Sequence, residues 1–290
     1  MSESRPTQSA GQLIHSHPRR FAENCYVYPV LSRRSGGISI GVNLNPDKRC
    51  NFNCAYCQVD RRRSGGTVAV DVGRLAAELD ATVELVLSGR IYRETPFCQT
   101  PLAMRHLRDI AFSGDGEPTT CPSFDQAVAA AVEMRRRRRL DDVKLVLITN
   151  ASMLDREPVQ RALEKLDANN GEIWAKLDAG TDGYFRRVAR SAVPFRRILE
   201  NLCHAAAVRP IVIQSLFMRL EGQPPPAGEQ EAYCQRLIQI SSGGTIKVVQ
   251  LYTVARPPAE SWVSPLGPAE LDALAERVRR RTGLTVATYH

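Results

Sequence analysis

Three cysteines fall within eight residues, Cys50-Asn51-Phe52-Asn53-Cys54-Ala55-Tyr56-Cys57, with three residues and then two between them. The thiolate is the ligand form of cysteine, and soft thiolates select iron–sulfur clusters, zinc or Cu(I). A cubane cluster normally takes four thiolates, one per iron. Three would leave one iron without a protein ligand, open to bind and activate something else. Structural zinc sites are closed by four ligands. Here no fourth Cys or His stands at zinc-finger spacing, and Cys25 is remote. Spacing alone favours iron–sulfur, with a zinc site, a redox pair with a spare thiol, and coincidence as the alternatives.

The chain around this loop has 290 residues, 43% apolar and 24% charged, which is enough for one large α/β domain or two small ones. Its eight cysteines are too sparse for a disulfide scaffold, and their clustering points to a metal site. No run of eighteen apolar residues occurs, and Met1 to Gln12 lacks an apolar signal core. The expectation is therefore a soluble, cytoplasmic protein with no membrane association. The net charge of +8 is concentrated in Arg61-Arg62-Arg63, Arg135 to Arg139 and Arg279-Arg280-Arg281. The last two runs read as solvated helix ends, where cations complement the dipole. The first flanks the cysteine loop and suits an anionic partner such as a phosphate backbone.

The elements that must position the loop follow from periodicity. Residues 1–37 read as a polar N-terminal arm that packs through Tyr26, Val27, Tyr28, Val30 and Leu31, and residues 38–290 as the core. Strands are expected over Ile38 to Leu44, Asp109 to Ser113, Lys144 to Thr149 and Glu172 to Leu177. Three more follow at Pro210 to Met218, Thr245 to Thr253 and Leu284 to Tyr289. Between them lie amphipathic helices, such as the stripe Val72, Leu75, Leu79, Val83 and Val86. Ser123 and Gln126 have the spacing of a capping box. Alternating strands and helices imply βαβ units and a parallel sheet. Without a dinucleotide fingerprint, an open or closed barrel is favoured over a Rossmann sheet. Barrel sites lie at the C-terminal ends of the strands. Polar groups gather there: the cysteines, Gly114 to Glu117, Thr149-Asn150, Lys176 and Asp178, Gln214-Ser215, and Arg256.

The cysteine spacing, with the aromatic Tyr56 before the last cysteine, resembles the signature of the radical S-adenosylmethionine superfamily. Gly114-Asp115-Gly116-Glu117 resembles that family's Gly-Gly-Glu turn with Asp115 inserted, and Asn150 and Lys176-Leu177-Asp178-Ala179 fall where its later strand motifs lie. The resemblance covers residues 38 to 255. It implies a partial (β/α)6 TIM-like barrel with an N-terminal arm and a C-terminal helix and strand. It also implies a 4Fe–4S cluster on Cys50, Cys54 and Cys57, with S-adenosylmethionine on the open iron. The cofactor-binding residues it implies are Tyr56, Gly114, Asp115, Gly116, Glu117, Asn150, Lys176 and Asp178. Glu117 would meet the methionyl amine, Asn150 and Asp178 the ribose or carboxylate, and the backbone around Tyr56 the adenine edge. One-electron reduction would cleave the sulfonium and generate a 5′-deoxyadenosyl radical that takes hydrogen from a substrate. The electron would come from an external donor such as a flavodoxin or ferredoxin.

Within that superfamily, Ser113 to Thr119, Ala175 to Ala179 and Gln250 to Pro258 look like the wyosine-type tRNA base synthases and their bacterial Fe–S oxidoreductase relatives, which makes an RNA base one possible substrate. Two departures stand against tRNA. Only Cys25 stands where those enzymes carry three further N-terminal cysteines, and neither Lys48 nor Lys176 can be matched to their pyruvate-holding lysine. The alternative of a different class is a non-catalytic, zinc-stabilised RNA-binding protein.

Overall fold

The computed structural model describes residues 21–61, 69–258 and 260–290. Its strands are β1 (Val27–Ser32), β2 (Gly37–Val42), β3 (Leu107–Phe112), β4 (Lys144–Thr149), β5 (Gly171–Lys176), β6 (Ile211–Leu216), β7 (Met218–Leu220), β8 (Ile246–Tyr252), β9 (Val263–Pro265) and β10 (Val286–Tyr289). Among them run α1 (Val72–Leu87), α2 (Phe124–Arg137), α3 (Glu157–Asp167), α4 (Asp182–Ala189), α5 (Phe195–Val208), α6 (Ala227–Ser242) and α7 (Pro268–Thr282). Eight strands make one curled sheet in the order β1-β2-β3-β4-β5-β6-β8-β10, parallel from β2 onward. This is the expected partial barrel, and β7 and β9 form a small antiparallel ribbon beside it. No described helix is long and apolar enough to cross a membrane.

The two faces of the sheet differ in chemistry, because successive side chains point to opposite sides. On β5, Ile173 and Ala175 pack into the main core with the helices, whereas Trp174 joins Ala111, Val146 and Val212 in a separate cluster on the other face. The helical layer is sealed by stripes such as Leu75, Leu79, Val83 and Val86 of α1, all buried. Burying each such side chain stabilises the fold by about 2 kcal/mol relative to exposure. The inner face of the curl is the polar one. It carries Ser39, Asp109, Ser113, Lys176 and Gln214, which line a cavity of about 370 Å³.

Two local details differ from the sequence reading. Part of the expected arm, Val27–Ser32, is a strand antiparallel to β2. Pro29 lacks an N–H, which confines such a strand to a sheet edge. The buried Glu78 carboxylate of α1 fixes its entry by accepting the N–H groups of Cys25, Tyr26 and Val27 at 2.9, 2.8 and 3.3 Å. Tyr28 lies so close over Gly41 that a Cβ there would stand 2.3 Å from its ring. The second difference is at α2, where Ser123 is the N-cap but its side chain makes no capping bond. Its backbone (φ −89°, ψ 13°) is outside the extended region a capping hydroxyl needs.

Candidate functional site

The chain leaves β3 through Ser113-Gly114-Asp115-Gly116-Glu117, and this turn presses directly on the end of β2. A Cβ on Gly114 would stand 2.2 Å from Asn43 Oδ1, and one on Gly116 would stand 2.0 Å from the Arg49 carbonyl. Only glycine permits that approach. Asn43 Oδ1 accepts the N–H groups of Asn45 and Asp115 at 3.0 and 3.1 Å, and Asn43 Nδ2 donates to Asp115 Oδ2 at 2.7 Å. Glu117 is buried at 3% exposure. Its Oε1 accepts both hydroxyls, Thr119 at 2.5 Å and Thr149 at 2.6 Å, together with the Thr119 N–H at 3.3 Å. Its Oε2 accepts the Asn150 N–H at 2.6 Å. Burial pushes the Glu117 pKa up, opposed by these donors.

Asn150 carries the connection onward. Its Nδ2 donates to Asn51 Oδ1 at 2.8 Å, inside the cysteine loop, and its Oδ1 accepts the Ser152 N–H at 3.0 Å. Asn51 Nδ2 in turn donates to the Ser152 hydroxyl at 2.6 Å. On its other side the loop caps the C-terminus of α4, whose last carbonyls lack intrahelical partners. Asn53 N–H meets the Ala189 carbonyl at 3.1 Å, and Ala55 N–H meets that of Val188 at 2.8 Å. Phe52 stacks edge-on against Phe185 with ring centroids 5.7 Å apart. The loop is thereby fixed at both ends of its backbone with its cysteines turned to the cavity.

Cys50, Cys54 and Cys57 are all free and all line that cavity. Burial raises the thiol pKa of Cys50, and pushes that of Cys54 up to about 12. A thiol held protonated this way becomes a thiolate when a cationic centre is bound. Arg61 reaches back to Cys57 Sγ at 3.5 Å and to the Lys48 carbonyl. Arg62 and Arg63 lie outside the described residues. Among the described residues no three Cys, His, Asp or Glu side chains converge as a single metal ion requires. The donor set fits a cluster, whose ligands each hold a different iron.

The far wall carries a polar network. Tyr56 Oη donates to Asp178 Oδ2 at 2.5 Å, and the Leu216 N–H donates to Asp178 Oδ1 at 2.8 Å. Lys176 Nζ lies 3.2 Å from Asp178 Oδ1 and donates to Tyr252 Oη at 2.7 Å. It also sits 5.1 and 5.0 Å from the ring centroids of Tyr56 and Tyr252. Burial opposes the charge on Lys176, but Asp178 and Tyr252 outweigh it and its pKa is raised.

The structure thus brings ten of the eleven residues singled out from sequence to one cavity; Asp115 alone does not line it. Several members of the other two arginine runs are engaged in ion pairs. Arg137 and Arg138 bridge to Asp80, Arg138 to Glu84, and Arg281 to Glu231. Sequence reasoning missed Asn43 and Asn45, which seat the glycine turn. Their signal was two asparagines at the end of an apolar strand. It also missed Arg34 and Trp174 on the inner face, which only the strand register reveals.

No protein-family model matches the chain. Over 231 residues it is 26% identical to a UPF0026 protein of Helicobacter pylori, covering 79% of this chain and 66% of that one. Over 157 residues it is 29% identical to a UPF0026 protein of Methanocaldococcus jannaschii, covering 52% and 42%. It is 23% identical over 181 residues to a GTPase Obg of Brachyspira hyodysenteriae, covering 60% of this chain and 23% of that one. The chain spans between about a quarter and two thirds of the length of these relatives. A radical SAM methyltransferase from Sphaerobacter thermophilus superimposes with a TM-score of 0.61 at 14% identity, over 91% of this chain and 68% of that one. Streptococcus suis SuiB bound to S-adenosylmethionine superimposes with a TM-score of 0.58 at 13% identity, over 89% and 52%. The partial-barrel fold that the resemblance implies is therefore borne out, and the chain has the fold of these radical S-adenosylmethionine proteins.

Proposed function

We propose that this protein is a radical S-adenosylmethionine enzyme whose cluster is held by Cys50, Cys54 and Cys57. The observation that carries the reading is the loop itself: three free cysteines facing one cavity, tied through Asn51 and Asn150 to the Glu117 turn. A bound 4Fe–4S cluster, reduced by an external donor, would supply the electron that cleaves S-adenosylmethionine to methionine and a hydrogen-abstracting 5′-deoxyadenosyl radical.

The chain's own residues supply the binding. Glu117 Oε2 has one protein donor and retains lone-pair capacity for a second, which suits the methionyl ammonium. Gly114 and Gly116 leave the backbone of the turn bare of side chains beside it. The Tyr56 hydroxyl, held by Asp178, fixes the adenine side of the loop. Lys176, neutralised by Asp178, holds the opposite wall in place without adding net charge. Apolar side chains such as Phe185 and Ile198 line the cavity and help exclude water from the reacting centre.

Anaerobic reconstitution with iron and sulfide tests the reading. It expects about four irons per chain and broad visible absorption, both lost in Cys50→Ala, Cys54→Ala and Cys57→Ala. A folded chain that takes up only zinc would overturn it.

A further inference from the structure

The inner wall of the curl holds a cation whose charge nothing in the cofactor reading uses. Arg34, in the turn between β1 and β2, extends into the cavity. Its guanidinium carbon stands 5.6 Å from the Trp174 ring centroid and 5.5 Å from that of Tyr252. Ring faces hold a guanidinium flat and leave its N–H edges pointing outward in the plane. Among the described residues that guanidinium has no ion pair and no hydrogen-bond acceptor. The nearby carboxyl of Asp109 is taken by the hydroxyls of Ser39 and Ser35; burial raises its pKa, and the charge of Arg34 acts on it only at longer range, lowering it. Lys176, another cation lining the cavity, already has Asp178. Arg34 has no carboxylate at ion-pair distance among the described residues.

A second orphan lies on the same wall. Gln214, fully buried, faces the cavity from β6, in register with Lys176 on one side and Gln250 on the other. Its Nε2 donates to Gln250 Oε1 at 2.8 Å. Its Oε1 accepts from nothing. That oxygen is sealed beneath the cavity surface, so the Gln214–Gln250 pair shapes the wall and does not itself meet a bound molecule.

We propose that the substrate carries an oxyanion, a carboxylate or a phosphate, bound by the Arg34 fork. The planar fork matches both oxyanions in bidentate geometry. The anion end therefore lies against Trp174, deep in the curl, while the rest of the molecule extends toward Lys176 and the cysteine loop. This rests on the enzyme reading above for its setting, but the recognition chemistry belongs to the cavity itself.

The test is calorimetric titration of the reconstituted full chain with inorganic phosphate and, separately, malonate, at constant ionic strength. Saturating S-adenosylmethionine is present, so that its own carboxylate site is filled. At least one anion is expected to bind saturably, and which one binds separates a phosphate from a carboxylate substrate. Arg34→Gln should weaken it about tenfold or more, the loss of one charge-assisted contact. Arg34→Lys should recover only part, because it keeps the charge and loses the fork. The surface control Arg136→Gln should bind as the unaltered chain does. Absence of saturable binding by either anion, or equal affinity in a folded Arg34→Gln chain, overturns the proposal. Iron content and S-adenosylmethionine cleavage are measured on the same preparation. Failed binding with intact cleavage defeats this inference alone, and intact binding with failed cleavage defeats the enzyme reading alone.

Discussion

The Asn150 N–H donates to Glu117 Oε2 at 2.6 Å, joining the end of β4 to the turn that follows β3. Because the Asn150 side chain then holds Asn51, one short chain of bonds sets the position of the cysteine loop relative to the glycine turn. Glu117→Gln puts an amide N–H₂ where the native carboxylate accepts four hydrogen bonds. It should destabilise the fold by about 1–3 kcal/mol, read by urea unfolding, and weaken S-adenosylmethionine binding. Wild-type stability in this variant would mean that the bonds to Glu117 carry no weight.

The glycine turn gives a paired prediction. Gly116→Ala forces a methyl group to within 2.0 Å of the Arg49 carbonyl, so backbone must shift beside the cysteines. A loss of about 2 kcal/mol and impaired iron uptake are expected. Gly183, in the first turn of α4, has nothing within 4 Å of its Cβ position. Gly183→Ala should stabilise by about 0.4–1 kcal/mol. Thermal melting and iron content of the two variants check both.

Lys176 and Asp178 form a mostly buried pair. Lys176→Met leaves the Asp178 carboxylate without its cation, at a cost of about 3 kcal/mol. Adding Asp178→Asn to that variant should restore more than half of the loss. A double-mutant cycle by chemical denaturation measures it, and simple additivity of the two substitutions would contradict the coupling.

At the surface, hydrogen bonding from Arg138 and Arg137 lowers the Asp80 pKa to about 2. A carboxylate with a depressed folded pKa stabilises above its unfolded value of about 3.9, and that contribution fades as pH falls toward the folded value. Solvent screening keeps it to about 1 kcal/mol or less. Asp80→Asn should lose this much at pH 7, and the gap to wild type should narrow between pH 5 and pH 3.

The central strands were legible because a parallel strand packed on its outer face by helices reads as a short apolar run. Lys144 to Thr149 is β4 residue for residue. The edge strand β1 was not, because Pro29 interrupts its pattern and its pairing depends on Glu78 far along the chain. The cysteine loop, the glycine turn and the Lys176/Asp178 pair were legible from spacing and order. The inner-wall residues Arg34, Trp174 and Gln214 were not assembled, since a period of two says that faces alternate but not which face curls inward.

The most direct measurement is the fate of S-adenosylmethionine on the reduced, reconstituted chain under anaerobic conditions. The wild-type chain should give 5′-deoxyadenosine and methionine in equal amounts, and Cys54→Ala neither. A folded wild-type chain that holds about four irons yet forms no 5′-deoxyadenosine on reduction would contradict it.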